Sequence, residues 1–233
     1  MSNNVLILKD MDSFHQPTAP NEHYHVYNRG NHKQPTFLDE NDYRRFLFLV
    51  LATQSPIVVN NTSRMIKDFF QNIEHVGHSM SNNAPADDKL VKVIAFCFMP
   101  NHFHLILEEI KEHGIPEYMQ KLGNAYTKYF NTKYKTKGHL FEGRYGRIHI
   151  SDNTQLLHTS AYIHRNPREL PEWQNKESEY LWSSYQDYVQ KNRWDTLLSQ
   201  EIILEQFNEQ QPYKNFVDTS TTKLTDAEES MLK

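Results

Sequence analysis

Apolar residues fill nearly every position of VKVIAFCFM (91–99), a run of strand length that predicts a strand buried on both faces. Pro100-Asn101 supplies a turn, and HFHLILEE (102–109) then alternates as a half-buried strand does, so the two segments predict an antiparallel hairpin. HYHVYN (23–28) also has strand composition and runs into the turn residues Arg29-Gly30-Asn31. The spacing of Tyr43, Phe46, Leu47 and Val50 predicts a helix over 40–53, with Asp39 as its cap. A second helix is predicted over 116–134, its inner stripe made of Met119, Leu122, Tyr126, Tyr129 and Phe130. A basic turn from Gly138 leads into a last strand ending in RIHI at Ile150. A third helix, capped by Asp152 or Asn153, covers 154–166 and must stop at Pro167.

The order strand, helix, strand, strand, helix, strand, helix predicts an α+β fold, an antiparallel sheet with helices packed on it in a ferredoxin-like or RRM-like plan. Residues 1–20 carry no periodicity and are read as irregular, and the main domain is placed at 21–190. Within it, 54–89 combine a candidate helix (64–70) with the polar stretch SMSNNAPADDK, longer than a plain connection and read as an insertion. Residues with Trp173, Trp182, Tyr185 and Tyr188 are expected to form a helical or irregular cover over the sheet. The segment 191–233 is read as an acidic C-terminal tail.

Length and composition suit one domain: 233 residues, 38% hydrophobic, with 13 Phe, 13 Tyr and 3 Trp for an aromatic-rich core. No apolar run approaches the ~20 residues needed to span a bilayer. The start MSNNVLILKDMDSF lacks the basic residues and cleavage site of a signal peptide. A cytoplasmic protein with no membrane partner is therefore expected. The single cysteine, Cys97, excludes an internal disulfide and a cysteine-rich zinc site. Net charge is −4, which taken whole argues against a nucleic-acid partner. Its distribution changes that picture. From 121 to 149 seven Lys and Arg face a single acid, Glu142, whereas from 195 onward acids outnumber lysines. The basic block is either a track for a phosphate backbone or an ordinary solvated helix face.

Two short motifs carry candidate chemistry. In His102-Phe103-His104 the period of a strand puts both imidazoles on one face and Phe103 on the other. Such a pair is either half of a divalent-metal site or two half-exposed strand histidines. In AYIHRNP (161–167), Tyr162 and Asn166 are four apart on a helix and share a face, with His158 one turn earlier. This pair is either a nucleophile beside an amide ligand, or a core tyrosine with an asparagine capping the helix before Pro167. No carboxylate cluster near these motifs suggests a two-metal nuclease.

Taken together, HYHVYNRGNHKQPTF (23–37), FMPNHFHLILE (98–108), GHLFEGRYGRI (138–148) and AYIHRNP (161–167) occur in an order and at a spacing that resemble the REP-associated tyrosine transposases. These lie within the wider group of single-tyrosine transposases that use a His-hydrophobe-His motif, and the resemblance covers roughly residues 23–188. It implies His102 and His104 as metal ligands, Asn166 as a third, and Tyr162 as the nucleophile. It further implies Mg²⁺ or Mn²⁺ as the cofactor, and single-stranded DNA beside a hairpin as the substrate. The implied reaction is a transesterification that leaves a 5′-phosphotyrosine and a free 3′-hydroxyl. A tyrosine hydroxyl with pKa near ~10 is a poor nucleophile at neutral pH, so a metal that polarises the phosphate fits the chemistry.

In the basic block, Arg144, Arg147, Lys128, Lys133 and Lys137 are expected to meet phosphates, while Tyr145, His139 and Phe141 stack on unpaired bases. Arg144 lies inside the family motif GHLFEGRY. A protein of the same fold that binds hairpin DNA or RNA without cutting is the alternative; the intact set of His102, His104, Tyr162 and Asn166 favours the enzyme. The resemblance favours a nucleoid-associated monomer over a homodimer that exchanges the tyrosine helix.

Overall fold

The computed structural model describes residues 17–55, 62–71, 88–207 and 210–221. Four strands form one sheet: β1 (His23–Arg29), β2 (Val91–Met99), β3 (His102–Glu109) and β4 (Gly146–Ile150). Their order is β2-β3-β1-β4 and every pair is antiparallel. With α1 (Glu40–Ala52) after β1 and α3 (Gly114–Tyr134) after β3, this is the α+β, ferredoxin-like plan that the pattern predicts. A further helix, α2 (Thr62–Gln71), lies between α1 and β2, inside the stretch read as an insertion. Most of the polar run SMSNNAPADDK and the irregular N-terminal 1–16 lie outside the described residues.

Asp39 caps α1 as expected, and Asp42 answers it by accepting the Asp39 amide. The period of two along the strands sorts the side chains cleanly. Tyr24, Val26, Phe96, Phe98, Phe103, Leu105 and Leu107 fall on one face, where α1 and α3 pack. Phe46 of α1 is the hub, its ring 5.0 Å from Phe98, 5.0 Å from Phe103 and 4.8 Å from Tyr126. α3 begins where the fully buried Glu109 carboxylate accepts the amides of His113 and Ile115. The other face presents His25, Tyr27, Arg29, His102 and His104, and is covered by α4 (Asn153–Arg165).

The residues after 180 are more central than a cover. The 182–184 segment bonds to the outer edge of β2, with the Phe98 amide donating to Trp182 O and the Ser184 amide to Phe96 O, both at 2.9 Å. That pairing removes an open strand edge. The tail reading of 191 onward requires correction. Trp194, Leu197, Leu198, Ile203, Tyr213 and Val217 are all buried, Trp194 stacking on Phe69 of α2 at 5.6 Å. Two further helices lie here, α6 (Glu201–Leu204) and α7 (Gln210–Thr219), following α5 (Tyr185–Val189). The count of acids concealed an apolar pattern that docks on α2 and α4. Among the described residues no helix is long and apolar enough to cross a membrane.

Lys133 is part of this framework. Its ammonium donates to Asp39 and to the fully buried Asp42, each at 2.7 Å, while Tyr129 and Tyr134 donate to the same Asp42 carboxylate. Burial alone would raise the Asp42 pKa, but the hydrogen bonds from Lys133, Tyr134, the Leu38 amide and Tyr129 together hold it below the usual carboxylate value. The stabilisation is therefore complete above the unfolded-state value near ~4 and is lost as pH falls through the lower folded-state value. Lys133→Met is expected to cost roughly 3 kcal/mol in urea unfolding at pH 7, the order found when a buried charge loses its partner. That loss should shrink as the experiment is repeated at falling pH and Asp42 protonates in the folded state as well.

Candidate metal and tyrosine site

On β3, His102 and His104 share a face while Phe103 enters the opposite core. Their rings lie 5.2 Å apart at 85°. His104 is fully buried; Nδ1 lies 2.9 Å from Nε2 of the buried His25 on β1, and Nε2 has no hydrogen-bond partner. His102 is half-buried, and its Nδ1 is 2.7 Å from Asn101 Oδ1. A carbonyl oxygen only accepts, so the proton sits on Nδ1 and leaves a lone pair on Nε2. That Nε2 faces Asn166 Oδ1 at 3.4 Å. The amide of Asn166 is oriented by its own Nδ2, which donates to Tyr162 O at 3.0 Å.

Two acceptors therefore face one another, and the neighbouring His104 ring carries a buried nitrogen with no partner. Buried polar atoms are rarely left so, and a cation is what would satisfy all three. Burial pushes His102 down to about 4, against the Asn166 oxygen that would favour its charged form. Burial likewise drives His104 well below the ordinary histidine value, and the neighbouring His25 and His102 add to this. Both rings are thus neutral at pH 7, the form that ligates. Among the described residues no three His, Cys, Asp or Glu are arranged to hold an ion, and the group here pairs two imidazoles with the Asn166 amide oxygen. Imidazole with amide oxygen suits an intermediate divalent ion and leaves positions open.

Asp152 caps α4, accepting the Gln155 amide at 2.8 Å, and the helix gives way at Asn166-Pro167 to a short 3-10 turn. Tyr162 is half-buried on this helix, its ring edge-on to His104 at 5.4 Å and 6.2 Å from His25. Two residues along, His164 is fully buried and ties α4 down through Tyr213 Oη at 2.7 Å and Ser184 Oγ at 2.8 Å. His158, placed by helix period on the Tyr162 face, instead packs its ring 5.3 Å from Phe216 of α7. Tyr126 and Tyr129 are occupied elsewhere, bonding to Thr36 O and Asp42 Oδ1.

The expected nucleic-acid residues gather on the other side of the sheet. A groove of about 1250 Å³ runs between α3 and the 139–147 segment, with Phe46 and Phe103 in its lining. Lys128, His139, Arg144, Tyr145 and Arg147 all line it; Lys133 and Lys137 do not. Lys133 is held by its two aspartates instead. Residues that the motifs did not single out include His25, Tyr27 and Asn101. A usable signal for His25 was present, since HYH (23–25) is itself a His-x-His triplet on a strand.

Residues 57–166 match the family model of IS200-like transposases. Over that stretch, a little under half of its length, the chain is similar to the IS200-like transposases. The matched stretch contains His102, His104 and Tyr162 and ends on Asn166, whereas β1 lies outside it. A solved REP-associated tyrosine transposase bound to a REP hairpin is similar over 81% of this chain and 92% of its own, at 13% identity and a TM-score of 0.51, a likeness of fold. A Deinococcus radiodurans R1 protein classed as a transposase aligns over 64% of this chain and 91% of its own, at 16% identity. Its TM-score of 0.27 carries nothing further. No curated protein matches the chain.

Gly146 of β4 lies opposite Tyr27, and a Cβ there would meet the Tyr27 ring at 2.4 Å. Tyr27 in turn lies 5.1 Å from the His25 ring and 6.0 Å from His104. Gly146→Ala must therefore push Tyr27 against the histidines. The expected cost is about 1–3 kcal/mol in thermal unfolding, as for other overpacked sites. A melting curve matching the wild type would show that the ring can move aside freely.

Proposed function

We propose that this protein is a metal-dependent single-strand DNA endonuclease and strand transferase that cuts beside hairpins, with Tyr162 as its nucleophile. The observation that carries the reading is that His102 Nε2 faces Asn166 Oδ1 while the neighbouring His104 ring, its Nε2 without a partner, stands edge-on to Tyr162. The family match and the fold shared with a hairpin-bound transposase support it. Mg²⁺ or Mn²⁺ held by His102, His104 and Asn166 would polarise the scissile phosphate and stabilise the charge of the transition state. Tyr162 Oη attacks phosphorus, the P–O3′ bond breaks, and the tyrosine proton passes to solvent while the departing 3′-oxygen takes one up. One phosphodiester bond is exchanged for another, so the strand can be rejoined. The packing of Tyr162 on His104 of the same chain supports a monomer as the reacting unit.

The groove on the far side of the sheet supports a second role for this chain, that of holding the DNA. There Arg144, Arg147 and Lys128 are the phosphate contacts we assign, and Tyr145 and His139 the stacking surfaces. A hairpin-binding protein that does not cut would keep this groove and make no adduct.

Tyr162→Phe removes one oxygen and keeps the ring, so hairpin binding should survive while the covalent product disappears. A denaturing gel of labelled oligonucleotide with Mn²⁺ reads this directly, with Tyr126→Phe and Tyr145→Phe as controls. An adduct persisting in Tyr162→Phe removes Tyr162 from the reaction, and no adduct with the wild type favours the non-cutting binder. Arg144→Ala should weaken hairpin binding and reduce the slope of log K against log salt by about one, the share of a single phosphate contact. An unchanged slope and affinity would make Arg144 structural.

A further inference from the structure

We infer that His25 is a positioning residue for the metal site. Its ring-to-ring hydrogen bond to His104 Nδ1 sets the tautomer and orientation that leave His104 Nε2 as a lone pair for a divalent cation. The inference rests on the metal reading above, and concerns a strand outside the family-matched stretch.

The geometry is specific. His25 Nε2 and His104 Nδ1 are 2.9 Å apart, with the rings near parallel at 26° and centroids 5.1 Å apart. His25 is 1% exposed and His104 0%, so water does not compete for either nitrogen of that bond. A neutral imidazole carries one proton, and the two nitrogens cannot both donate. If Nε2 of His25 accepts, the His104 proton is held on Nδ1, and Nε2 is left with a lone pair. That Nε2 is buried and partnerless. The opposite assignment would bury an N–H with no acceptor and turn it toward the place where a cation would sit.

Metal-ligating histidines usually hold their second nitrogen against a carboxylate, a carbonyl or water. An imidazole does the same work without adding a negative charge. A cation on His102, His104 and Asn166 would then keep its full charge toward a phosphate. The strand register is what permits the contact: Tyr27 lies directly opposite His104 and His25 one step along the same face. His102 is held differently, by Asn101 at 2.7 Å, so each ligand histidine has its own fixing partner.

The test compares Mn²⁺ binding by calorimetry for wild type, His25→Gln, His25→Asn, His25→Phe and His102→Ala, with melting in EDTA as a control for folding. Gln places an acceptor near the position of Nε2 and should bind close to wild type. Asn is polar but too short to reach His104, and Phe has no acceptor; both should bind about 10- to 100-fold more weakly. A merely structural His25 would lower the EDTA melting temperature of every variant and leave the affinity of the folded protein alone. Asn binding as tightly as wild type, or Gln as weakly as Asn, overturns the inference even if Phe fails to fold. Wild-type affinity retained in His102→Ala, or no binding by the wild type, overturns the metal reading itself and this inference with it.

Discussion

Between β1 and β3 the pairing sets Tyr27 opposite His104 and Arg29 opposite His102, while Asn28 faces Phe103. A slip of one residue would exchange the two faces of the sheet along that strand. His25 would turn into the aromatic core under α1, and Val26 would meet the imidazoles. The register is held because both faces are buried and differ in kind: one is filled by Phe46, Phe98, Phe103 and Tyr126, the other by ring nitrogens and hydroxyls.

A polar inner face is costly unless its groups are paired. Here the pairing is nearly complete. His25 meets His104, His102 meets Asn101 through Nδ1, and His164 meets both Tyr213 and Ser184. Nε2 of His104 is left without a hydrogen-bond partner, on a ring that stands edge-on to Tyr162. The C-terminal residues matter because they hold α4 in place: Ser184 bonds to the β2 backbone at Phe96 and to His164 at once, so helix and strand are joined through one hydroxyl. The short edge pairing at 182–184 and the docking of α7 thus serve the same end as the core.

Charge is divided between the faces. The groove residues Arg144, Arg147 and Lys128 stand on the α3 side, and the neutral histidines on the α4 side. In the proposed reaction the DNA would be gripped on one surface and exchanged on the other, with the strand passing around β4, the edge of the sheet. Lys133 shows that proximity in sequence to a basic block does not make a residue part of it. Its three helical turns of separation from Lys121 carry it to Asp39 and Asp42.

How much of this was legible in the chain itself follows from the range of each interaction. The hairpin at 91–109, the caps at Asp39 and Asp152 and the sharing of a face by His102 and His104 are local, set by periods of 2 and 3.6 and by turn chemistry. The four-residue spacing of Tyr162 and Asn166 is local too. What folding decided is everything that joins distant segments. His25 and His104 are 79 residues apart, and their contact depends on β1 inserting between β3 and β4. The tail-like composition after 191 hid side chains that are buried only because α2 and α4 offer them a surface. His158 and Lys133 had the right residue type and the wrong neighbours. Periodicity tells which way a side chain points from its own element; only the packing of elements determines what it finds there.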